Sequence, residues 1–286
     1  MIRETFWSWG LRAAAAWARR WSPDKRYRRA GAFAVAASRL FPAQRRAVRR
    51  NLDVIQASGS RHVLVDDVFR HFGWTLLDFL TGFKPEIRIV GREKAEEARR
   101  KGRGVIFLTT HLGSWELGGK ILAKWGWDVT AIYQPYQSAA MQEFIQSRRA
   151  DGLSYLPVGK GAARGMSKIL DRGGVVAILG DRPFGEDGEP VLLCGREARL
   201  PRGPFLFAAH HGTPIVPGFV LIEAPGRIVT VVEDPLWPVG KGPAAVKDLL
   251  DRTALILEKY LIEHAEQWYC FESAWSAPSP GVWRSW

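Results

Sequence analysis

The residues best suited to chemistry lie in the segment TTHLGSWELGG, residues 109–119. His111 falls on a predicted loop between an apolar strand and a helix, and Glu116 lies in the first turn of that helix. A loop imidazole and a first-turn carboxylate can meet over this spacing because the chain turns between them. The pair predicts a general base, His111, which Glu116 orients while the imidazole takes a proton from an attacking hydroxyl. The alternative is a solvated loop histidine near a helix-capping glutamate.

The residues between this pair favour the first interpretation. Ser114 is a candidate N-cap of the helix, and Gly113 lies in a glycine-rich setting that allows close backbone approach by a ligand. We therefore count Gly113 and Ser114 as candidate substrate contacts. The chain contains no G-x-S-x-G motif, so a serine nucleophile of the α/β-hydrolase type is not supported.

Two further polar residues follow predicted elements at positions where sites are often built. Arg148 ends a predicted helix, where it could hold an anion or polarise a developing oxyanion; the alternative is a solvated helix terminus. Asp181 directly follows the apolar run 175–179, and residues after sheet strands often line the site in open α/β folds. Asp181 is therefore a candidate second carboxylate near His111, or else it simply opens a turn before Pro183.

No pattern in the chain predicts a metal or cofactor site. Cys194 and Cys270 form no metal or redox motif. His210 and His211 are adjacent, and neighbouring residues on a helix do not face the same way, so a shared metal is not expected. We expect no metal and no cofactor.

The charge distribution indicates an anionic partner. The net charge is +12, and residues 1–50 hold thirteen basic and two acidic side chains, a net +11. Four tryptophans among these arginines, at positions 7, 9, 17 and 21, resemble an interfacial anchor, which favours an anionic membrane surface over nucleic acid. No apolar run approaches the roughly 20 residues that a spanning helix needs. We expect the chain to lie on the membrane rather than cross it, and to bind no nucleic acid.

Hydrophobic periodicity divides the chain into a helical part, residues 1–85, and an α/β part, residues 86–286. Strand and helix patterns alternate through the second part, which predicts a mostly parallel sheet flanked by helices. The predicted strands are 87–90, 105–109, 129–133, 153–156, 175–179, 215–222 and 228–233, with short extended pieces in 185–201. The predicted helices are 4–21, 25–40, 43–57, 63–81, 93–101, 114–125, 138–149, 162–171, 202–211 and 243–266.

Several blocks, in order, resemble the bacterial lipid A biosynthesis acyltransferase family, which includes phosphatidylinositol mannoside acyltransferases. The segment THLGSWELGG is similar to the His, four residues, acid motif of glycerolipid acyltransferases in its glutamate version. The other matching blocks are Arg49-Arg50-Asn51-Leu52, Arg148 with Gly152, Gly180-Asp181-Arg182, FLFAAHHGTPIVP at 205–217, and Gln267-Trp268-Tyr269 followed by Phe271 and Trp275. This sequence departs from the family pattern at Arg182, which stands where the family usually has Gln, and in a short N-terminal membrane helix broken by arginine.

The resemblance implies a glycerolipid-acyltransferase-like sandwich with an N-terminal membrane-associating segment. It implies transfer of a fatty acyl chain from acyl carrier protein, or coenzyme A, to a hydroxyl of a lipid A precursor or similar glycolipid. In this scheme His111 is the base, Glu116 orients it, Arg148 contacts the donor or the oxyanion, and Asp181 organises the site. The expected location is the cytoplasmic face of the inner membrane, monotopic or peripheral. Alternatives are acylation of a phosphatidylinositol mannoside or lysophospholipid, or a non-catalytic membrane-binding protein.

Overall fold

A computed structural model describes residues 15–136, 138–149, 152–183 and 188–275. Within these ranges the helices, numbered in chain order, are α1 Pro23–Ser38, α2 Pro42–Ala57, α3 Val65–Thr81, α4 Arg92–Arg100, α5 Trp115–Lys124, α6 Ala139–Gln146, α7 Ala162–Asp171, α8 Gly203–His211 and α9 Gly242–Glu263, followed by a 3₁₀ turn at Ala265–Gln267. The predicted helix at 4–21 lies largely outside the described residues. No described helix is long and apolar enough to cross a membrane.

Seven strands form the central sheet. They are β1 Glu86–Val90, β2 Val105–Thr109, β3 Val129–Tyr133, β4 Ser154–Pro157, β5 Val175–Leu179, β8 Ile215–Ala224 and β9 Arg227–Val232, in the order β1-β9-β8-β2-β5-β3-β4. The β8–β9 pair is antiparallel, and the other neighbours are parallel. The prediction of an α/β fold with a mostly parallel sheet flanked by helices is confirmed.

The strand predictions were least specific between residues 185 and 201. There the structure has an antiparallel hairpin outside the main sheet, formed by β6 Gly188–Leu193 and β7 Arg196–Pro201. The turn places Cys194 at a φ of 52° and Gly195 at 70°, and Gly is the residue that adopts this left-handed region most easily. The predicted helix 138–149 is also shorter than expected, because the helical bonds end at Gln146.

Helices cover both faces of the sheet. Helices α2, α7, α8 and α9 pack on one face, where Ile106, Leu108, Val176 and Phe219 are among the buried strand residues. Helices α4 and α5 pack on the other face, against alternate residues of the same strands. This alternation follows from the period of two along each strand. Helices α2 and α3, which lie before residue 86, share the first of these cores.

Strand order decides which loops meet. Strands β2 and β5 are parallel neighbours, with Thr109 paired to Leu179. Their carboxyl ends therefore lie side by side, and Gly180 N donates a hydrogen bond to Thr109 O at 2.8 Å. The residues that follow these two strands, His111 and Asp181, are brought together although they are 70 positions apart.

Candidate active site

The centre of the site is a buried pair between His111 and Asp181. His111 Nδ1 lies 2.9 Å from Asp181 Oδ1. The side chain of Asp181 is fully buried, whereas that of His111 is 21 % exposed. The second carboxylate oxygen, Oδ2, accepts a hydrogen bond from Trp268 Nε1 at 3.0 Å. Both oxygens of the buried carboxylate are thus occupied, as burial of a charge requires.

Electrostatics keep Asp181 ionised. Burial by itself raises the pKa of Asp181, but His111, by its hydrogen bond and by its charge when it is protonated, the charge of Arg182 and the hydrogen bond from Trp268 outweigh it. The net pKa lies well below the usual range of an aspartate. An ionised carboxylate only accepts hydrogen bonds, so Nδ1 of His111 must carry the hydrogen. The remaining ring nitrogen, Nε2, then holds the free lone pair.

The imidazole itself is held neutral. Burial lowers the pKa of His111, and the charge of Arg182 lowers it further; Asp181, by charge and hydrogen bond, and Glu116, by charge, act in the opposite direction. The net pKa is below the ordinary 6.5. A neutral imidazole with a free Nε2 is the form that can accept a proton at neutral pH.

The chain just before the C-terminal tail braces the loop that carries His111. Tyr269 N donates to His111 O at 2.9 Å, and Gly113 N donates to Gln267 O at 2.8 Å. The side chain of Gln267 is fixed in turn, because it bonds both the backbone N and the backbone O of Ile222 on β8. Trp268 lies between these two contacts, and its ring therefore reaches Asp181.

A second brace comes from the N-terminal half of the chain. Asn51 Nδ2 donates to Cys270 O at 3.0 Å and to Glu272 O at 2.7 Å, and Asn51 Oδ1 accepts from Ala274 N at 3.1 Å. The asparagine of the Arg49–Leu52 block thus holds the segment that follows Tyr269. Asn51 therefore acts on the His111 loop indirectly, through the C-terminal block. Spacing in the sequence does not show this link.

Gly113 and Ser114 are both buried in this structure. Gly113 has a φ of 60°, and a Cβ on it would lie 2.1 Å from Val220 O. Ser114 N donates to the same Val220 oxygen at 2.7 Å. Ser114 occupies the predicted N-cap position, but its side chain makes no capping bond. These contacts give both residues a part in shaping the turn after His111, and substrate contact by them stays a prediction.

Glu116 does not hold the imidazole. The carboxylate in hydrogen-bond contact with His111 is that of Asp181, and Glu116 reaches the imidazole through its charge alone. Glu116 Oε1 instead lies 3.5 Å from Arg149 Nη2. The physical reason is that Glu116, in the first turn of α5, lines the cavity over the sheet, whereas Asp181 follows β5, the neighbour of the strand that leads to His111. The orienting position that we expected for Glu116 is therefore occupied by Asp181.

Arg149, which ends the same predicted helix as the candidate Arg148, joins three parts of the site. Its side chain is 11 % exposed, and its guanidinium carbon lies 5.1 Å from the Tyr133 ring centroid and 5.3 Å from that of Tyr155. Arg148, its neighbour, lies with its guanidinium carbon 5.4 Å from the Phe144 ring centroid. Both arginines follow α6. That Arg149 reaches Glu116 is visible only in the tertiary fold.

An apolar cavity begins beside these residues and runs between α5 and the sheet. Its floor is one face of four neighbouring strands, with alternate residues such as Phe107, Ala131, Ala177 and Val220, and its roof includes Gly118, Gly119, Ile121 and Leu122 of α5. Thr109, Trp115, Glu116 and Arg149 belong to the same wall. Small residues face each other here, since Ala131 pairs with Ala177 across β3 and β5. The cavity is small, about 100 Å³, so it has room for a few methylene groups close to the His111 loop.

Within the part of the chain that the structure describes, no group of three or more His, Cys, Asp or Glu side chains is arranged to hold a metal ion. His211 bonds Asp171 Oδ1 at 3.0 Å through Nδ1 and Ser167 Oγ at 3.1 Å through Nε2, which ties α8 to α7.

Comparison with known proteins assigns this chain to a family. The model of the bacterial lipid A biosynthesis acyltransferase family matches residues 3–277. The chain belongs to that family. The resemblance predicted from its sequence blocks is thereby confirmed, and the matched region includes His111, Asp181 and both bracing segments.

The names of similar proteins refer to different lipids. The chain is 23 % identical over 180 residues to a phosphatidylinositol mannoside acyltransferase of Mycolicibacterium smegmatis, covering 62 % of this chain and 58 % of that protein. It is 26 % identical over 164 residues to a lipid A biosynthesis palmitoleoyltransferase of Escherichia coli and to a lipid A biosynthesis acyltransferase of Shigella flexneri, covering 54 % of this chain and 53 % of each. The chain thus spans little more than half the length of these relatives.

Proposed function

We propose that this protein transfers a fatty acyl chain from a thioester donor to a hydroxyl of a glycolipid. The observation that carries the proposal is the His111–Asp181 pair beside an apolar cavity, in a chain of the lipid A acyltransferase family. A thioester is already activated, so a base and a site for the oxyanion suffice, and the reaction needs no cofactor. The acceptor we favour is a lipid A precursor, and a phosphatidylinositol mannoside or lysophospholipid is the alternative.

The step follows from the protonation states of the pair. Nε2 of His111 takes the proton of the acceptor hydroxyl while the hydroxyl oxygen attacks the thioester carbonyl. Asp181 accepts the hydrogen bond from Nδ1–H and, as a carboxylate, stabilises the imidazolium that forms. The tetrahedral intermediate then expels the thiolate, which takes the proton back from Nε2. The products are an ester and a free thiol, and the enzyme returns to its starting state.

Charged groups near the cavity mouth have separate roles in this proposal. Glu116 supports the imidazolium through its charge and, with Arg149, closes one wall of the cavity. Arg148 is proposed to contact the phosphate of the donor or the developing oxyanion. The donor is acyl carrier protein or coenzyme A, and the site of action is the cytoplasmic face of the inner membrane, which the protein meets as a monotopic or peripheral protein.

The apolar cavity is proposed to hold part of the acyl chain. Ala131 and Ala177 lie side by side on its floor, so a larger side chain at either position shortens the available space. Ala177→Leu is expected to move the acyl-chain preference toward shorter donors when a series of acyl thioesters is compared. Ala163→Leu, on the exposed face of α7, is the matched control. An unchanged preference in a folded Ala177→Leu variant would place the chain elsewhere.

The function is tested by purified protein, a labelled acyl donor and a panel of acceptors. Acyl carrier protein and coenzyme A thioesters are compared as donors, with a lipid A precursor, a phosphatidylinositol mannoside and a lysophospholipid as acceptors. His111→Ala is expected to lower turnover by roughly 10²–10⁴-fold, the usual contribution of a general base. Wild-type turnover in a folded His111→Ala variant would exclude the mechanism. Lipid binding without transfer to any acceptor would favour the non-catalytic alternative.

A further inference from the structure

A groove lined by three arginines lies outside the site described above. Arg28 and Arg39 belong to α1 and its C-terminal cap, and Arg70 belongs to α3. Arg28 and Arg39 are eleven positions apart, which places them on one face of the helix about 16 Å from each other. The groove encloses about 640 Å³. This is enough space for a polar head group with part of its apolar chain.

The crossing of α1 and α3 places Arg70 between the other two arginines. A Cβ on Gly31 would lie 2.7 Å from Arg70 Cγ and 2.9 Å from Trp74 Nε1, so the missing side chain lets both residues lie against α1. Trp74 Nε1 donates to Tyr27 O at 3.0 Å, which fixes the indole as a wall of the groove. Arg70 therefore lies against α1 at Gly31, which stands between Arg28 and Arg39 along the helix.

The three arginines differ in their surroundings. Arg70 forms an ion pair with Asp67, whereas Arg28 and Arg39 have exposed side chains at the two ends of the groove. Between them the floor is apolar and made of small side chains, Ala32, Val35 and Ala36. Cationic ends with an apolar floor match an anionic amphiphile better than a fully polar ligand.

Two exposed apolar side chains favour a lipid over a soluble anion as the ligand. Phe33 on α1 is 73 % exposed, and Leu40, in the turn just after the Arg39 cap, is 78 % exposed. Phe33 lies about 120–140° around the helix from Arg28 and Arg39, so it flanks the arginine face. Large apolar side chains beside a cationic stripe are typical of helices that lie at a membrane interface. A free phosphate or a nucleic acid would leave this apolar pair in water.

We propose that the groove between α1 and α3 binds the phosphate head group of an anionic phospholipid, with the start of an acyl chain over its alanine floor. The groove gives the proposed membrane contact a defined binding site, and it does not depend on acyl transfer. Thr75, the neighbour of Trp74, bonds Gly113 O and Tyr269 through its hydroxyl. Helix α3 thus presents one face to the groove and another to the His111 loop.

The test uses the full chain and a short-chain phosphatidylglycerol below its micelle concentration, with calorimetry as the readout. We expect one saturable site per chain. Arg28→Gln with Arg39→Gln is expected to weaken it about 30-fold, from about 1 kcal/mol for each arginine near an anionic surface and 1.4 kcal/mol per tenfold. Both positions are exposed, so the fold is expected to persist. Arg164→Gln with Lys168→Gln removes the same charge from the exposed face of α7 and is expected to bind as wild type.

A second pair of variants tests the floor without removing an arginine. Ala36→Glu puts a carboxylate into the groove and is expected to abolish binding, whereas Ala163→Glu, at an exposed position of α7, is not. Sedimentation with phosphatidylcholine vesicles, with and without phosphatidylglycerol, is expected to show the same order of variants. His111→Ala is expected to bind lipid as wild type, which separates this inference from the proposed catalysis.

Several outcomes would overturn the proposal. Equal weakening by the α7 charge variant would show unspecific electrostatic attraction. Inorganic phosphate binding as tightly as the lipid would show a phosphate site, and displacement of the lipid by a single-stranded oligonucleotide would show a nucleic-acid site. Equal binding of short-chain phosphatidylcholine would show that the negative charge is not recognised.

Discussion

Replacing Asp181 by asparagine tests the central pair of the site most directly. The carboxylate accepts from two donors, His111 Nδ1 at 2.9 Å and Trp268 Nε1 at 3.0 Å. An asparagine has one acceptor oxygen and one donor NH₂ group in the same place. If its oxygen accepts from Trp268, its NH₂ faces the imidazole and Nδ1 must lose its hydrogen. The hydrogen then moves to Nε2, and the base loses the lone pair that it needs.

The opposite orientation of the asparagine is also unfavourable. Its oxygen then accepts from His111, and its NH₂ group faces the indole N–H of Trp268 in a buried space. An unsatisfied buried donor costs about 1–3 kcal/mol. Even where Nδ1 keeps its hydrogen, the imidazolium has lost a charge-assisted bond worth about 1.5–3 kcal/mol, which corresponds to roughly 10- to 150-fold in rate. With the wrong tautomer the loss approaches the full contribution of a general base, about 10⁴-fold.

Steady-state kinetics of Asp181→Asn are therefore expected to show a fall in kcat of between about 10-fold and about 10⁴-fold with a small change in KM. Nitrogen NMR of labelled His111 reports which ring nitrogen carries the hydrogen, and thermal unfolding checks the fold. The matched control is Glu116→Gln, which removes a charge but no bond to the imidazole. A larger loss in Glu116→Gln than in Asp181→Asn, or near-normal kcat in folded Asp181→Asn, would refute the assignment of Asp181.

Three further predictions concern the electrostatics and the backbone. Arg182→Gln removes a positive charge that lowers the pKa of His111. Since the neutral imidazole is the active form, the acid limb of kcat/KM is expected to move to higher pH, and no shift would contradict this. Gly113→Ala places a Cβ 2.1 Å from a backbone oxygen of β8, whereas Gly126→Ala has a similar φ and open space. Chemical denaturation is expected to show a loss of at least about 2 kcal/mol for the first and about 1 kcal/mol for the second, and equal losses would count against the close packing. Burial raises the pKa of Asp78 from 3.8 to about 7, so the folded state keeps a proton that the unfolded chain releases. The free energy of unfolding is therefore expected to fall by up to about 4 kcal/mol as pH rises between these values. Asp78→Asn is expected to flatten that dependence, and an unchanged slope would exclude Asp78 as its source.

The sequence was most informative where periodicity and local chemistry agree. The strand Val105–Thr109 and the helix Ala162–Asp171 have the predicted bounds, because a buried apolar run and an amphipathic stripe are local signals. The loop position of His111 follows from the strand before it and the N-cap after it. These features need no knowledge of what lies elsewhere in the chain.

The order of the strands in the sheet could not be predicted from the sequence. His111 and Asp181 both follow apolar strands, and each is a recognisable candidate by that rule. Their contact requires β2 and β5 to be neighbours, although β3 and β4 lie between them in the chain. Local spacing therefore favoured Glu116 as the partner, and only the register between β2 and β5 shows that Asp181 is closer.

The bracing contacts explain why the blocks shared with the acyltransferase family are spread over the whole chain. Asn51 bonds the backbone of residues 270–274, and Gln267 and Tyr269 bond the loop of His111. A loop histidine cannot serve as a base unless its ring is held, since free rotation would compete with the Asp181 bond. The fold holds it from both sides, because the strand ends supply the carboxylate and the C-terminal segment supplies Trp268 and the backbone donors. Segments more than 200 positions apart are therefore required for one imidazole, and loss of Asn51 is a change at the site as much as a change in the core.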